Sequence, residues 1–291
     1  MGQCSWPKQK ISAAIVTFNP DISLLKRVIG ALRKQVVKLY VVDNCSDNKT
    51  EIKSICITED ADFIPLPKNE GIAAALNCAF KKADDDGMKW LLTSDQDSVM
   101  PDDLLKKFSK QGGDLIAQKN LGIICPNFVN RSTGEKEYEG ESPKLIDMCI
   151  TSGSLTRISS WKEIQGFDEE MFIDGVDFDF CVRLKNAGYK ILLLPNVCIE
   201  HEIGNACEHS LFGYKFLVLN HSAFRKKYIA QNILYLDGKF NNGRITFRTI
   251  LRLCKQFALV IFYEQDKKAK IEALWQGCVK GRFMCRSLRR S

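Results

Sequence analysis

The sequence lacks any apolar segment long enough to cross a membrane. Its longest apolar runs, such as residues 191–194 and 257–263, fall far short of the roughly 20 residues that a membrane-spanning helix needs. The first ten residues also lack the apolar core of a secretory signal peptide. Internal repeats and low-complexity segments are absent as well. These absences lead us to expect a globular protein that resides in the cytoplasm.

Paired cysteines are missing too. The chain has 12 cysteines, but none forms a CxxC pair, and several stand singly within apolar segments, such as Cys78, Cys125 and Cys181. This distribution is typical of reduced, buried side chains in a cytoplasmic protein, and it disfavours disulfides and a zinc site.

Acidic residues are scarce in the last part of the chain. Residues 211–291 carry 17 Lys and Arg against 4 Asp and Glu, whereas residues 1–210 carry 25 against 31. We therefore predict a mildly acidic body, residues 1–210, and a strongly basic C-terminal region, residues 211–291, with a separate role. The pattern of the basic region is helical.

Short β-rich runs alternate with helical patterns in the first half of the chain. The predicted strands are 11–17, 39–42, 62–66, 90–93 and 122–125, and the predicted helices follow Asp21, span 71–82 and follow Pro101. Further along, the pattern predicts a helix over 177–187, a strand over 190–194 and a break at Pro195. The alternation predicts an α/β fold of βαβ units with a mostly parallel sheet.

Polar residues cluster where three of these strands end, at 17–19, 43–47 and 94–97. In an open α/β sheet, ligands bind at the carboxyl ends of the strands. Three polar clusters at one edge therefore predict the ligand site there.

Asp95-Gln96-Asp97 follows the predicted strand WLLTS. Two carboxylates spaced two residues apart at a strand end can hold Mg²⁺ or Mn²⁺, which prefer oxygen ligands and commonly bind substrate phosphates as well. The alternative is a solvated turn before the next helix. The position of the motif beside the predicted cleft favours the metal site.

Asp177 stands at the start of a predicted helix, whose dipole favours an ionised carboxylate. Such a carboxylate can accept the proton of an attacking hydroxyl, and the alternative role is a helix cap. For Asp179 and Arg183 we favour a structural ion pair at helical i, i+4 spacing.

His201 follows a predicted strand over 196–200 and stands between two glutamates. A single histidine in such a setting is usually structural or exposed. If the strand ends beside Asp95 and Asp97, however, a neutral imidazole becomes a plausible third metal ligand.

The motifs occur in a specific order along the chain. They are TFNP (17–20), DNCSDN (43–48), NEGIAAALN (69–77), SDQDS (94–98), TSGSL (151–155), GFDEEMFIDGVDFDFCVR (166–183), AGY (187–189) and His201. In this order they resemble family 2 glycosyltransferases, and most closely the rhamnosyltransferase-like branch of bacterial cell-surface polysaccharide synthesis. The resemblance spans roughly residues 11–235.

The resemblance implies a GT-A fold over residues 1–210, with a nucleotide-sugar half at about 1–120 and an acceptor half at about 121–210. The implied donor-binding residues are Thr17, Asn19, Asp43, Asn69, Gly71, Asp95 and Gly153. The implied metal ligands are Asp95, Asp97 and His201, and the implied catalytic base is Asp177. The implied reaction is a direct, inverting displacement on a nucleotide-sugar, with Mn²⁺ or Mg²⁺ as cofactor and rhamnose as the branch's commonest sugar. The implied acceptor is a glycan or a lipid-linked sugar.

Two positions depart from the family pattern. Val176 stands where many members carry an acid, although the rhamnosyltransferase-like branch tolerates this. RKKYIAQN (225–232) resembles a tail motif that usually has Arg at the position of Gln231.

Other functions compete with this interpretation. A nucleotide-sugar or glycan binding module without activity is the alternative, and the presence of Asp95, Asp97 and Asp177 together argues against it. Nucleic-acid binding by the basic region is disfavoured because apolar side chains such as Phe262 and Trp275 interleave with the basic ones. That pattern fits peripheral binding to an anionic inner membrane surface better, and a helix with a solvated basic face is the structural alternative.

Overall fold

A computed structural model of the protein describes residues 10–130, 134–201, 207–211 and 214–288, except for the side chains of residues 201, 207–211, 214 and 215. The chain divides into two compact units. We call residues 1–169 and 177–202 the sheet unit, and residues 170–176 and 203–291 the helical unit. The division at residue 210 that the charge pattern suggests stays a prediction.

As far as its residues are described, the sheet unit is built on eight strands in the order β3-β2-β1-β4-β7-β5-β8-β6. The strands are β1 (Ile11–Thr17), β2 (Lys38–Asp43), β3 (Asp62–Pro65), β4 (Trp90–Asp95), β5 (Leu121–Asn130), β6 (Lys144–Ile146), β7 (Leu155–Arg157) and β8 (Lys190–His201). β3, β2, β1 and β4 are parallel to one another, and β5 is parallel to β8. β7 is antiparallel to both β4 and β5, and β6 is antiparallel to β8. The predicted α/β fold is confirmed, with a parallel first half and a mixed second half.

Six α-helices of the described residues accompany these strands. They are α1 (Ile22–Arg33), α2 (Lys49–Thr58), α3 (Ile72–Asp85), α4 (Leu104–Gly112), α5 (Ile158–Glu163) and α6 (Val176–Asn186). α1 begins where Asp21 accepts a hydrogen bond from the backbone N–H of Leu24, as its N-cap position requires. The helix predicted after Pro101 begins only at Leu104.

The parallel strands bring their carboxyl ends to a common edge. All residues of β1 except Val16 are buried, as expected for a strand in the middle of a sheet. In the register, Thr17 lies opposite Asp43 on β2, and Val16 lies opposite Asp95 on β4. Two of the polar clusters predicted from the sequence therefore flank the end of β1.

The predicted break at Pro195 is wrong. β8 continues through this residue to His201, and its register against β5 shifts between Pro126 and Asn127. Because proline has no N–H to donate, an irregularity of this kind is where a strand tolerates it. The strands predicted at 190–194 and 196–200 are thus a single strand.

The helical unit contains a hairpin that the sequence interpretation missed. β9 (Cys207–Leu211) pairs antiparallel with β10 (Tyr214–Val218), in a region predicted to be helical from residue 211. The run YKFLV is rich in aromatic and aliphatic residues, as strands are, but it is too short to outweigh the helical pattern that follows.

Three helices follow in the described part of this unit, namely α7 (Ala223–Phe240), α8 (Phe247–Tyr263) and α9 (Lys267–Ser287). α9 packs closely on α7 because two of its contact positions are glycine. A Cβ at Gly277 would lie 2.1 Å from the carbonyl oxygen of Lys227, and a Cβ at Gly281 would lie 2.4 Å from that of Gln231. None of the described helices is both long and apolar enough to cross a bilayer.

Candidate active site

Thr17 and Asp43 form a buried pair at the ends of β1 and β2. The Thr17 hydroxyl donates to Asp43 Oδ1 over 3.0 Å, and neither side chain is exposed. The same carboxylate accepts from the backbone N–H of Ser46 over 3.0 Å and from the Ser46 hydroxyl. A buried carboxylate needs such hydrogen bonds to offset its desolvation. The arrangement fixes Asp43 at the sheet edge, where the sequence predicts it.

Asn19 joins the loops that follow β1 and β2. Its backbone has a left-handed conformation, with φ of 47°, which asparagine tolerates better than most residues. Its N–H donates to Ser46 Oγ over 2.8 Å, and its side-chain oxygen accepts from the N–H of Asp47 over 2.8 Å. Ser46 therefore holds both Asn19 and Asp43 in place. Its position within the motif DNCSDN did not identify this role.

Asn69 and Gly71 lie in the loop before α3. The Asn69 side chain accepts from the N–H of Gly71 over 3.1 Å, and Asn44 accepts from the N–H of Glu70 over 2.8 Å. Gly71 has φ of 86°, a conformation that favours glycine. The loop is therefore tied to Asn44, which directly follows β2, and both predicted residues lie near that strand end.

Gln96 holds the turn of residues 95–97, which we call the acidic turn, against the end of β1. Its side-chain oxygen accepts from the N–H of Phe18 over 2.8 Å, and its side-chain nitrogen donates to the Phe18 carbonyl over 3.3 Å. On either side of it, Asp95 is half-buried and Asp97 is exposed. The sequence analysis gives Gln96 no role, whereas the structure makes it the anchor of the turn.

Gly153 lies beside β4. Its N–H donates to the Thr93 carbonyl over 2.8 Å, and its φ of 74° is one that side chains disfavour. A Cβ here would also lie 2.7 Å from Cδ1 of Ile199. Conformation and space therefore both favour glycine at this position, and the N–H of Gly153 holds the segment 151–154 against β4.

Asp177 occupies the first turn of α6 and is half-buried. Its Oδ1 accepts from the N–H of Thr151 over 3.1 Å. Ser152, which follows Thr151 in the sequence, accepts from the N–H of Asp95 through its hydroxyl over 3.2 Å. One short segment therefore contacts both the acidic turn and Asp177, and these contacts bring the two predicted sites together.

Two thiols near Asp177 are held in the neutral form. The pKa of Cys149 is raised mainly by its hydrogen bond with the Cys125 thiol. The pKa of Cys181 is raised by its hydrogen bond with Cys149, by burial and, in smaller part, by the charge of Asp177. A neutral thiol is a poor nucleophile, so these cysteines do not offer a covalent mechanism at this site.

Asp179 and Arg183 form the structural ion pair that their spacing predicts. The carboxylate is fully buried, and its Oδ2 accepts from the guanidinium over 2.7 Å. Arg183 also donates to the Ile164 carbonyl over 2.6 Å. Both side chains therefore serve the packing of α6, and the favoured interpretation is confirmed.

The residues suited to a divalent metal are Asp95 and Asp97. Among the described side chains, no three or more His, Cys, Asp or Glu converge as a metal site. The side chain of His201 lies outside the described residues, so its place in the predicted ligand set stays a prediction. Two carboxylates fit Mg²⁺ or Mn²⁺ when phosphates of a substrate complete the coordination, because such ions are commonly bound in that way.

Residues 12–182 match the sequence model of the family described as Glycosyl transferase family 2, which is more than half of the chain. The chain belongs to glycosyl transferase family 2. This glycosyltransferase is 29% identical over 242 residues to dTDP-rhamnosyl transferase RfbF of Shigella flexneri, covering 78% of this chain and 79% of that protein. Its predicted place among rhamnosyltransferase-like members is thereby confirmed. It is also 24% identical over 229 residues to pre-mycofactocin glycosyltransferase of Mycobacterium tuberculosis, but spans only 44% of that protein.

Solved structures share the fold at low sequence identity. GalNAc-T7 with UDP, GalNAc and Mn²⁺ superposes with a TM-score of 0.58 and 13% identity, covering 96% of this glycosyltransferase and 57% of GalNAc-T7. Residues 1–349 of Staphylococcus aureus TarS with UDP-GlcNAc give a TM-score of 0.52 and 16% identity, covering 97% and 91%. These likenesses confirm the predicted GT-A fold.

Proposed function

We propose that this glycosyltransferase moves a sugar from a nucleotide-sugar donor to a glycan or lipid-linked acceptor, with inversion and with a divalent metal. The observation that carries the proposal is the pair of hydrogen bonds from segment 151–152 to Asp95 and Asp177. They support a site in which metal-binding carboxylates and a base work at one sheet edge. The relatives support the donor class, since RfbF is a dTDP-rhamnosyl transferase and TarS holds UDP-GlcNAc.

The nucleotide of the donor binds at the ends of β1 and β2 in this proposal. Hydrogen bonds from Thr17 and Ser46 hold Asp43 at this edge, where it accepts from an N–H of the base. Thr17 and Asn19 hold the pocket in shape, and Asn69 and Gly71 lie by the base and ribose. Rhamnose is the sugar that we propose, with Gly153 beside it.

The diphosphate of the donor lies at the acidic turn. Asp97, with Asp95 beside it, would hold Mn²⁺ or Mg²⁺, and the ion would supply positive charge to offset the charge of the departing diphosphate. Gln96 keeps both carboxylates in place through its bonds to Phe18. His201 is the remaining proposed ligand.

Asp177 acts as the general base. The N–H of Thr151 and the amino end of α6 both favour its ionised form, which can take the proton of the acceptor hydroxyl. The hydroxyl oxygen then forms the new glycosidic bond as the bond to the diphosphate breaks. No covalent enzyme intermediate is required.

We further propose that the helical unit attaches the enzyme to the anionic inner face of a membrane, where a lipid-linked acceptor resides. α8 exposes a row of large apolar side chains on one face, namely Phe247, Ile250, Leu251, Ile261 and Phe262. Arg248, Arg252 and Lys255 lie along one flank of this face. Phe257 on the same helix is half-buried against a small core of Ala230, Val260 and Leu274. The apolar contact with the membrane is therefore made by the exposed row.

A product assay tests the proposed reaction. The enzyme, Mn²⁺ and a panel of nucleotide-sugars that includes dTDP-rhamnose are incubated with glycan and lipid-linked acceptors, and the anomeric configuration of the product is read by NMR. We expect transfer from one donor class with inversion. Retention would contradict the direct displacement, and absence of transfer from every donor would contradict the proposed activity.

A further inference from the structure

A short segment before Asp177 is held by one face of α7. The segment is residues 170–176, which the helical unit includes together with α7. Phe172 stacks on Tyr228, with ring centroids 4.9 Å apart and planes 20° from parallel. Phe224 contacts the ring of Phe172 edge-on, with centroids 5.6 Å apart. This aromatic contact places the first part of the segment on α7.

Arg225 binds the carboxylate of Asp174 in a bidentate geometry, which we call the fork. The guanidinium donates from Nε to both carboxylate oxygens over 3.0 Å and from Nη2 to Oδ1 over 2.7 Å. Asp174 has φ of 66°, a left-handed conformation that costs a residue other than glycine about 1 kcal/mol. Charge-assisted bonds of this geometry are among the stronger ones in proteins, so Arg225 can hold the turn in its disfavoured shape.

Asn232 holds the backbone of the same turn. Its side-chain nitrogen donates to the carbonyl of Ile173 over 2.8 Å and to that of Asp174 over 2.7 Å. The residue is 2% exposed, so both of its N–H groups are used inside the protein. Asn232 is seven residues after Arg225, two helical turns along the same face of α7.

The held turn leads directly into α6. Gly175 follows with φ of 81°, Val176 is the first residue of α6, and Asp177 is the second. Along the chain, only these two residues separate Asp174 from the proposed base. A displacement of the turn therefore reaches Asp177 within one helical turn, and an error of about 1 Å at a reacting group can lower a rate about 100-fold.

We propose that Arg225 and Asn232 are positioning residues for sugar transfer, which act by fixing the turn 173–175 and through it the carboxylate of Asp177. The proposal rests on the proposed role of Asp177 as base. Arg225 and Asn232 are the first and last residues of RKKYIAQN (225–232), so the proposal gives a physical role to two positions of this motif. Neither of them is Gln231, the position that departs from the family pattern. Gln231 is buried and contributes a longer contact of 3.5 Å to the Glu170 carbonyl.

Two variants remove the positioning contacts separately. Asn232→Ala removes both bonds to the turn, and Arg225→Lys keeps the charge but loses the fork. We expect each to lower kcat of transfer about 10-fold or more, while donor KM and the thermal shift produced by the donor stay within about 2-fold of the wild type. Asn241→Ala removes an amide whose described bonds go to Asp237 near the end of α7, and Arg27→Lys changes an exposed residue of α1; both are matched controls that should keep normal kcat.

A double variant separates positioning from a general structural defect. Because Arg225 acts through Asp177, adding Arg225→Lys to Asp177→Asn should lower kcat by less than 2-fold beyond Asp177→Asn alone. Additive losses, or normal kcat in Arg225→Lys and Asn232→Ala, would overturn the positioning role. If Asn232→Ala fails to fold, the half-exposed Arg225 still provides the test. Normal transfer by Asp177→Asn would instead overturn the proposed base itself, whatever the α7 variants do.

Discussion

The backbone N–H of Thr151 donates to Oδ1 of Asp177 over 3.1 Å, although 26 residues separate them in the sequence. The hydroxyl of the following residue, Ser152, accepts from the N–H of Asp95 over 3.2 Å. A single dipeptide therefore connects the acidic turn of β4 with the first turn of α6. This relation makes the proposed base and the proposed metal ligands parts of one site.

Asp177→Asn tests the base. The amide keeps the shape and can still accept the hydrogen bond of Thr151, but it cannot take a proton at neutral pH. We expect kcat of transfer to fall about 10²- to 10⁴-fold with donor binding nearly unchanged. Asp147→Asn, which changes an exposed carboxylate of the same unit, should retain normal kcat. Near-normal transfer by Asp177→Asn would show that the base lies elsewhere.

Gln96→Ala tests the anchor of the acidic turn. It removes both bonds to Phe18, each worth about 0.5–1.5 kcal/mol, so we expect donor KM to rise about 5- to 150-fold with a smaller change in kcat. Gln111→Ala removes a similar bond to a backbone carbonyl away from the turn and should leave both constants unchanged. Unchanged KM in Gln96→Ala would mean that the turn keeps its shape without these bonds.

The sequence predicts the strands and the sheet edge well because buried parallel strands have a strong local pattern. β1 is predicted to the residue, and the clusters at Thr17, Asp43 and Asp95 lie where their strands end. Its failures have physical causes as well. Proline usually ends a strand, but β8 continues past Pro195 because its pairing with β5 is irregular there. The local sequence pattern contains no information about that partner strand.

Support between distant residues is also invisible to spacing. Gln96 is identified as an anchor only by its contact with Phe18, 78 residues away in the sequence. Arg225 is likewise assigned only by its fork to Asp174, 51 residues away. Motif order, by contrast, identifies the family, because it depends on the sequence alone.

Gly153→Ala tests whether space or backbone conformation demands glycine beside β4. Gly188, at the end of α6, has a similar φ of 85° but no atom near its Cβ position. Gly188→Ala should therefore lose about 1 kcal/mol of unfolding free energy, and Gly153→Ala about 2–4 kcal/mol because it must also displace Ile199. Urea unfolding measures both, and Ile199→Val should recover part of the second loss. Equal losses at the two glycines would contradict the steric argument.

Vesicle co-sedimentation tests the proposed membrane contact. Each Lys or Arg near an anionic surface contributes about 1 kcal/mol, so Arg252→Glu/Lys255→Glu on α8 should greatly weaken binding to anionic vesicles. Lys26→Glu/Lys106→Glu makes the same change of charge on exposed residues of the sheet unit and should bind nearly as the wild type. We expect release as salt rises. Equal binding to neutral and anionic vesicles, or none at low salt, would contradict the proposed attachment.

We propose that Asp95 and Asp97 hold a metal on which donor binding depends. A thermal-shift panel of nucleotide-sugars, with Mn²⁺ or with EDTA, tests it most directly. A donor at 100 times its dissociation constant should stabilise the wild type by about 2.7 kcal/mol, with Mn²⁺ only. Asp97→Ala should lose this stabilisation, whereas Asp102→Ala, an exposed carboxylate nearby, should keep it. The same stabilisation in EDTA and in Asp97→Ala would contradict the metal site.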